Sequence, residues 1–256
     1  MKIIREFFQI VVTNKKILFS YILILPILTL GCCMLLSKKL ELYKVNYSRS
    51  DLVLHTFGSD TFIWIMIVVI TLLFIMILLR YDFMIPVIIR QRSKVSLWFH
   101  QVSKAVVSSF FVAAYMFIFL FLFSFLLSSV SNNWDMLDSA FADTMRFVLD
   151  TPVSFLSISV AAFLFLFSLL VTMSLLYLLF RWQFHSEIVG WLSVIIYLLY
   201  CSSESHFLNY ISTCYIGYKH FVDLSNLLWP LLAPLLWIGV LLGAGALLAN
   251  LSLIHI

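Results

Sequence analysis

Between Thr61 and Leu79 the chain runs TFIWIMIVVITLLFIMILL without a charged residue, then meets Arg80. The hydrocarbon core of a bilayer is about 30 Å thick, and a helix rising 1.5 Å per residue needs about 20 apolar residues to cross it. Uncharged runs of this kind recur six times along 256 residues, so the sequence predicts a polytopic membrane protein. Composition agrees: 63% of residues are hydrophobic and 11% charged, against about 25% charged in ordinary soluble domains.

The predicted spans cover residues 17–36, 61–79, 106–130, 152–180, 188–201 and 227–250. Ahead of them, MKIIREFFQIVVTNKK gathers Ile3, Ile4, Phe7, Phe8, Val11 and Val12 near one helical face, which predicts a helix lying in the membrane interface over 1–16. The fold class expected is all-α: a bundle of six transmembrane helices with an N-terminal interfacial helix. Residues 1–250 read as a single transmembrane domain, since no polar stretch is long enough to fold alone. The last six residues, LSLIHI, are encoded by a codon string that resembles a sequencing-library adaptor; 251–256 are read as adaptor sequence and set aside.

Charge orients the chain. With the N-terminus inside, ten of the sixteen basic residues fall on inner segments (Lys2, Arg5, Lys15, Lys16, Arg80, Arg90, Arg92, Lys94, Lys104 and Arg181) and nine of the twelve acidic residues fall outside. The positive-inside rule then places both termini in the cytoplasm of a multi-pass cell-membrane protein. The same placement makes the net charge of +4 an orientation signal, and no nucleic-acid partner is expected.

Chemistry is sparse. The spans as drawn contain no Asp, Glu, Lys, Arg or His, which argues against an ion-coupled transporter or an intramembrane protease. The seven glycines nowhere form a phosphate-cradling loop. Cys32, Cys33, Cys201 and Cys214 lack paired spacing and read as membrane thiols without metal, with a Cys201–Cys214 disulfide as the alternative. No catalytic, cofactor-binding or metal-binding residue is expected, and the chain is not read as an enzyme.

The connector from Arg80 to Lys104 carries the most information. Arg90, Lys94 and Gln101 fall at helical spacing, with Val95, Trp98 and Val102 on an adjacent face. Such a basic, aromatic helix either anchors in anionic headgroups or docks a cytoplasmic partner. In the last span Gly239-xxx-Gly243 and Gly245-xxx-Ala249 form a small-residue stripe that lets a helix approach closely, within the bundle or from another subunit.

The interfacial helix, six spans, cytoplasmic element between spans two and three, and the QRSKxSLW run leading into KAVVSSFFVAAYMFIF resemble ABC-2-type transporter permeases. The likeness is to the small bacterial permeases of peptide export and bacteriocin immunity, and it extends over most of the chain. It implies a permease domain over 1–250 whose element at 80–104 docks on a separate ATP-binding subunit through Arg90, Arg92, Lys94 and Trp98. It further implies that ATP and Mg are held by that partner, that a second permease chain, identical or related, completes the pathway amid membrane lipid, and that the aromatic segment 202–226 forms short outer re-entrant helices. An amphipathic or hydrophobic cargo, such as a peptide or lipid-like molecule, would suit the aromatic bundle. The other class left open is a membrane immunity, scaffold or sensor protein that binds a peptide without ATP.

Overall fold

Serine side chains mark where several helices of this protein begin. The computed structural model describes residues 15–58, 77, 79, 93–150, 153–202, 216–222 and 224–251. Within them the helices are α1 (Lys15–Leu42), α2 (Arg49–Gly58), α3 (Lys94–Leu127), α4 (Ala140–Met145), α5 (Phe155–Phe184), α6 (Glu187–Ser202), α7 (Lys219–Val222) and α8 (Leu224–Leu251). Ser93, Ser139 and Ser154 cap α3, α4 and α5, each hydroxyl accepting from the backbone N–H three residues on at 3.1 Å. A serine oxygen there satisfies one of the donors that a helix start leaves unpaired.

Four helices, α1, α3, α5 and α8, are long and apolar enough to cross a membrane, and the protein is membrane-integral. The fifth expected span is the shorter α6, whose 16 residues rise about 24 Å. The second expected span, 61–79, lies outside the described residues apart from the helical Ile77 and Leu79. The interfacial helix expected over 1–16 also lies outside them, except that Lys15 and Lys16 already belong to α1.

Two boundaries differ from expectation. The sequence separates a cytoplasmic element ending at Lys104 from a span beginning at Val106, but α3 is one helix of 34 residues, about 51 Å long. Nothing between Lys94 and Val106 interrupts a helix, since neither proline nor glycine occurs there. The polar stretch after the first span is likewise not a loop throughout. α1 continues to Leu42, and α2 folds back beside it, bringing Thr56 Oγ1 within 3.8 Å of Cys33 Sγ.

α5 is the centre of the bundle. In its apolar stretch 67% of positions are buried, against 28% in α1, 28% in α3 and 22% in α8, so α5 faces protein on most sides while the others keep a lipid-facing side. It packs against α2, α3, α6 and α8. Antiparallel connections bring the ends of α1 and α3 together with the starts of α5 and α8; the segments 43–58, 128–150 and 216–222 cover that end and are termed the cap. The opposite end, with the starts of α1 and α3 and the α5–α6 turn, is the base. A backbone pairing of Asn46 with Ser139 ties two cap segments, with Asn46 N–H donating to Asp138 O and Ala140 N–H to Asn46 O.

Candidate functional sites at the two ends of the bundle

At the base, the first turns of α3 lie against α5 and α8. Trp98 is fully buried, its ring edge-on to Trp182 of α5 with centroids 6.2 Å apart. One turn on, Gln101 accepts a hydrogen bond from Trp182 Nε1 through Oε1 at 2.6 Å. The other face of the Trp98 indole fills a notch in α8 made by Gly245: a Cβ at that glycine would sit 1.9 Å from Trp98 Cζ2 and 2.3 Å from Cε2. Only hydrogen at position 245 lets the two helices come this close. Lys104, another turn along α3, is also buried.

This end carries an energetic cost. Trp98 Nε1 and Gln101 Nε2 are buried without a hydrogen-bond partner among the described residues. An unpaired buried donor costs about 1–3 kcal/mol, so the shape fit of Trp98, Trp182 and Gly245 has to outweigh it. Beside them the α5–α6 turn is clasped by Arg181, which donates to Tyr177 OH at 3.1 Å and pairs with Glu187 at 2.6 Å. His185 turns the chain there with φ of 52°.

The expected docking residues part company. Arg90 and Arg92 lie outside the described residues. Lys94 opens α3 at the base, half-buried. Trp98, expected to face a partner, instead has its ring enclosed within its own chain, because the helix carrying it continues into the bundle instead of lying on its surface. The small-residue stripe also splits. Gly245 and Ala249 face inward and are buried, whereas Gly239 and Gly243 are exposed with open space where a Cβ would be. Two residues turn a helix by about 200°, so Gly243 and Gly245 fall on opposite faces.

The cap is organised around one carboxylate. Asp51 is fully buried in the first turn of α2. Its Oδ2 accepts from the backbone N–H of Ser48 at 2.7 Å and from Ser48 Oγ at 2.8 Å, a capping box. Its Oδ1 accepts from Trp134 Nε1 and from Tyr218 OH, both at 2.8 Å. Three separate segments of the cap thus meet on one side chain. Around it Trp134 stacks on Phe141 at 4.9 Å, and Tyr218 stands edge-on to Trp134, Phe141 and His55. Burial, followed by the neighbouring Asp51 charge, holds the Tyr218 phenol well above its ordinary value of 10, so it remains a donor at neutral pH. Burial and adjacent Lys219 push His220 down to about 4, against the upward pull of the Gly217 backbone. Two polar atoms of the cap, His55 Nε2 and Asn133 Oδ1, are buried without partners among the described residues.

Asp51, Trp134 and Tyr218 at the cap and Trp182 at the base escape the sequence analysis, which places Gln101 on a helical face without its partner. The spacing Ser48-x-x-Asp51 is the capping-box signature and marks Asp51 as a helix-start residue. Its pairing with Trp134 and Tyr218, 83 and 167 residues away, has no local signal. With four donors on its two oxygens, Asp51 is fully occupied as an acceptor. Among the described residues no three of His, Cys, Asp and Glu gather as a metal would require. Compared with protein-family models, curated proteins and solved structures, the chain matches none.

Proposed function

We propose that this chain is the membrane-spanning permease subunit of an ATP-driven ABC exporter. ATP is bound and hydrolysed by a separate subunit, and a second permease chain completes the pathway. On this reading the base is cytoplasmic, both termini lie on that side, and the cargo is amphipathic or hydrophobic, a peptide or lipid-like molecule. The observation that supports it is the single unbroken α3, which starts with Lys94 at the base and is locked to α5 and α8 by Trp98 a turn later. A force applied at the start of such a helix is carried directly into the bundle. Arg90, Arg92 and Lys94 then serve as the docking residues, and Trp98 becomes the transmitter behind them.

The test is affinity purification of the tagged chain from its native membrane, with ATP hydrolysis measured in the eluate. Wild type is expected to recover an ATPase. Reversing Arg90 and Lys94 to Glu should reduce the recovered activity several-fold at equal membrane abundance, whereas Trp98→Phe should leave recovery unchanged and reduce transport. The chain freed of partners should hydrolyse no ATP. Absence of ATPase from the wild-type eluate, or undiminished recovery with the reversed charges, would overturn the reading.

A further inference from the structure

We propose that the lipid-facing seam between α3 and α5 binds one anionic phospholipid of the leaflet on the cap side, its acyl chain lying on a column of phenylalanine rings and its phosphate on Arg49. The proposal concerns this chain alone and does not depend on ATP or on a partner chain.

Phe110, Phe117, Phe121 and Phe125 share one face of α3, and Phe155 and Phe163 stand opposite them on α5. Their rings form an unbroken column. Centroids lie 6.1 Å apart from Phe110 to Phe163, 5.6 Å from Phe163 to Phe117 and 6.2 Å from Phe117 to Phe121. The column continues at 5.4 Å from Phe121 to Phe155 and 6.0 Å from Phe155 to Phe125. None of the six is buried, and Phe110 and Phe125 are 46% and 45% exposed, so the column faces the hydrocarbon of the bilayer. From Phe110 to Phe125 it runs about 22 Å along α3. Half of a bilayer core is about 15 Å, so an acyl chain entering at the cap end stays on aromatic surface down to the midplane. Aliphatic side chains offer a lipid tail only what other tails offer, whereas linked rings form a rigid surface that one chain can follow.

The cap end of the column carries a cation. Arg49 Cζ lies 3.7 Å from the centre of the Phe125 ring. Its Nε donates to Ser128 O at 2.9 Å and its Nη2 to Ser129 O at 3.1 Å. Both carbonyls follow Leu127, the last residue of α3, so the guanidinium stands where that helix leaves the membrane. The carbonyls fix its orientation without neutralising it. Among the described residues no carboxylate forms an ion pair with Arg49. Glu41 is held instead by Tyr47 OH at 3.3 Å, which also reaches Leu127 O at 3.4 Å. A guanidinium has five N–H donors, and the Nη1 pair has no acceptor among the described residues. An uncompensated, oriented guanidinium at the membrane boundary matches a lipid phosphate. A headgroup with net negative charge balances it, whereas a zwitterionic one brings an ammonium of its own alongside.

The full chain, purified in detergent, is incubated with phosphatidylglycerol carrying a photoactivatable diazirine in its acyl chain, and crosslinked residues are mapped by peptide mass spectrometry. Crosslinks should concentrate on 110–126 of α3 and 155–164 of α5. Excess unlabelled phosphatidylglycerol should suppress them several-fold more than phosphatidylcholine does. Arg49→Gln should lower the yield several-fold, whereas Lys38→Gln, which removes the same charge from the same end of the bundle, should leave it unchanged. Phe117→Leu combined with Phe121→Leu keeps Arg49 and its bonds to α3 and should also lower the yield. The wild-type map, the competition and the phenylalanine variant decide the matter even where Arg49→Gln fails to fold. Crosslinks spread evenly over the lipid-facing helices, equal competition by the two lipids, or equal loss in the Arg49 and Lys38 variants would mean ordinary solvation by the bilayer. Any of these, or undiminished yield in the phenylalanine variant, overturns the proposal.

Discussion

The two ends of the bundle are fastened by different physics. At the cap, segments that are distant in sequence converge on the Asp51 carboxylate through directional hydrogen bonds, inside a cluster of aromatic rings. At the base, α3, α5 and α8 meet by shape: an indole seated in a glycine notch, beside a hydrogen bond from Trp182 to Gln101. Hydrogen bonds can be exchanged for water one at a time, so a polar fastening can open without dismantling the helices beneath it. A steric fit has no such intermediate, and closely packed interiors transmit displacement instead of absorbing it. The base is therefore fastened mainly by shape, and the cap by polar contacts.

The sharpest way to break this contrast is Gly245→Val. Overpacking a well-filled site costs about 1–3 kcal/mol and occasionally more. Here the first added carbon already lies 1.9 Å from Trp98, so the effect belongs at or beyond the top of that range. Loss of the monodisperse peak in fluorescence-detected size exclusion, or a marked drop in melting temperature in detergent, is the expected outcome. Adding Trp98→Phe should restore part of the loss, because the clashing ring edge is removed. A Gly245→Val protein as stable as wild type would show that the base is not a steric lock.

A smaller effect is expected at the cap as pH falls. His220 accepts the Gly217 N–H through Nδ1 at 3.0 Å, and its value in the fold, about 4, lies below the ordinary 6.5. The unfolded chain therefore binds a proton more readily than the folded one between those values, and stability rises with pH across that window. His220 makes its full contribution above pH 6.5 and loses it progressively as pH drops toward 4. His220→Asn, which keeps an acceptor for Gly217 but does not titrate, should flatten that part of the stability profile in thermal melts. An unchanged slope would show that another group governs the acid response.

The smallest effect is predicted for Gly243→Ala. That position has open space around the added carbon, and alanine favours a helix over glycine by about 1 kcal/mol. The melting temperature should hold or rise slightly, against the large loss at Gly245 two residues on. A substantial loss of stability at Gly243 would instead mean that another helix packs closely on that face.

Much of the fold is legible in the sequence because the solvent imposes it. A bilayer requires long uncharged helices with their backbone groups paired internally, and this requirement alone marks the runs that became α1, α3, α5 and α8. The break between the spans predicted over 152–180 and 188–201 is equally legible, because RWQFHSE interrupts two apolar runs, although α5 continues to Phe184. Where one element stops and the next begins was harder to read. Hydropathy falls at Lys104 and Gln101, but a helix does not end merely because polar residues enter it, and α3 runs through them.

What the sequence by itself determined is a membrane-integral, helical chain, through apolar run length and backbone pairing in lipid. What only the tertiary structure decided is which polar and aromatic side chains meet. Trp98 and Lys94 look alike as candidates for a docking surface, yet Trp98 is enclosed and Lys94 opens the helix, because the path of α3 rotates one side inward. Gly243 and Gly245 share a motif and face opposite ways. Asp51 reads locally as a helix cap and becomes the meeting point of the cap only when Trp134 and Tyr218 are folded onto it. Apolar burial is set by composition along each segment, whereas a hydrogen bond requires two particular atoms at about 3 Å, and for residues far apart in sequence only the packed fold brings them there.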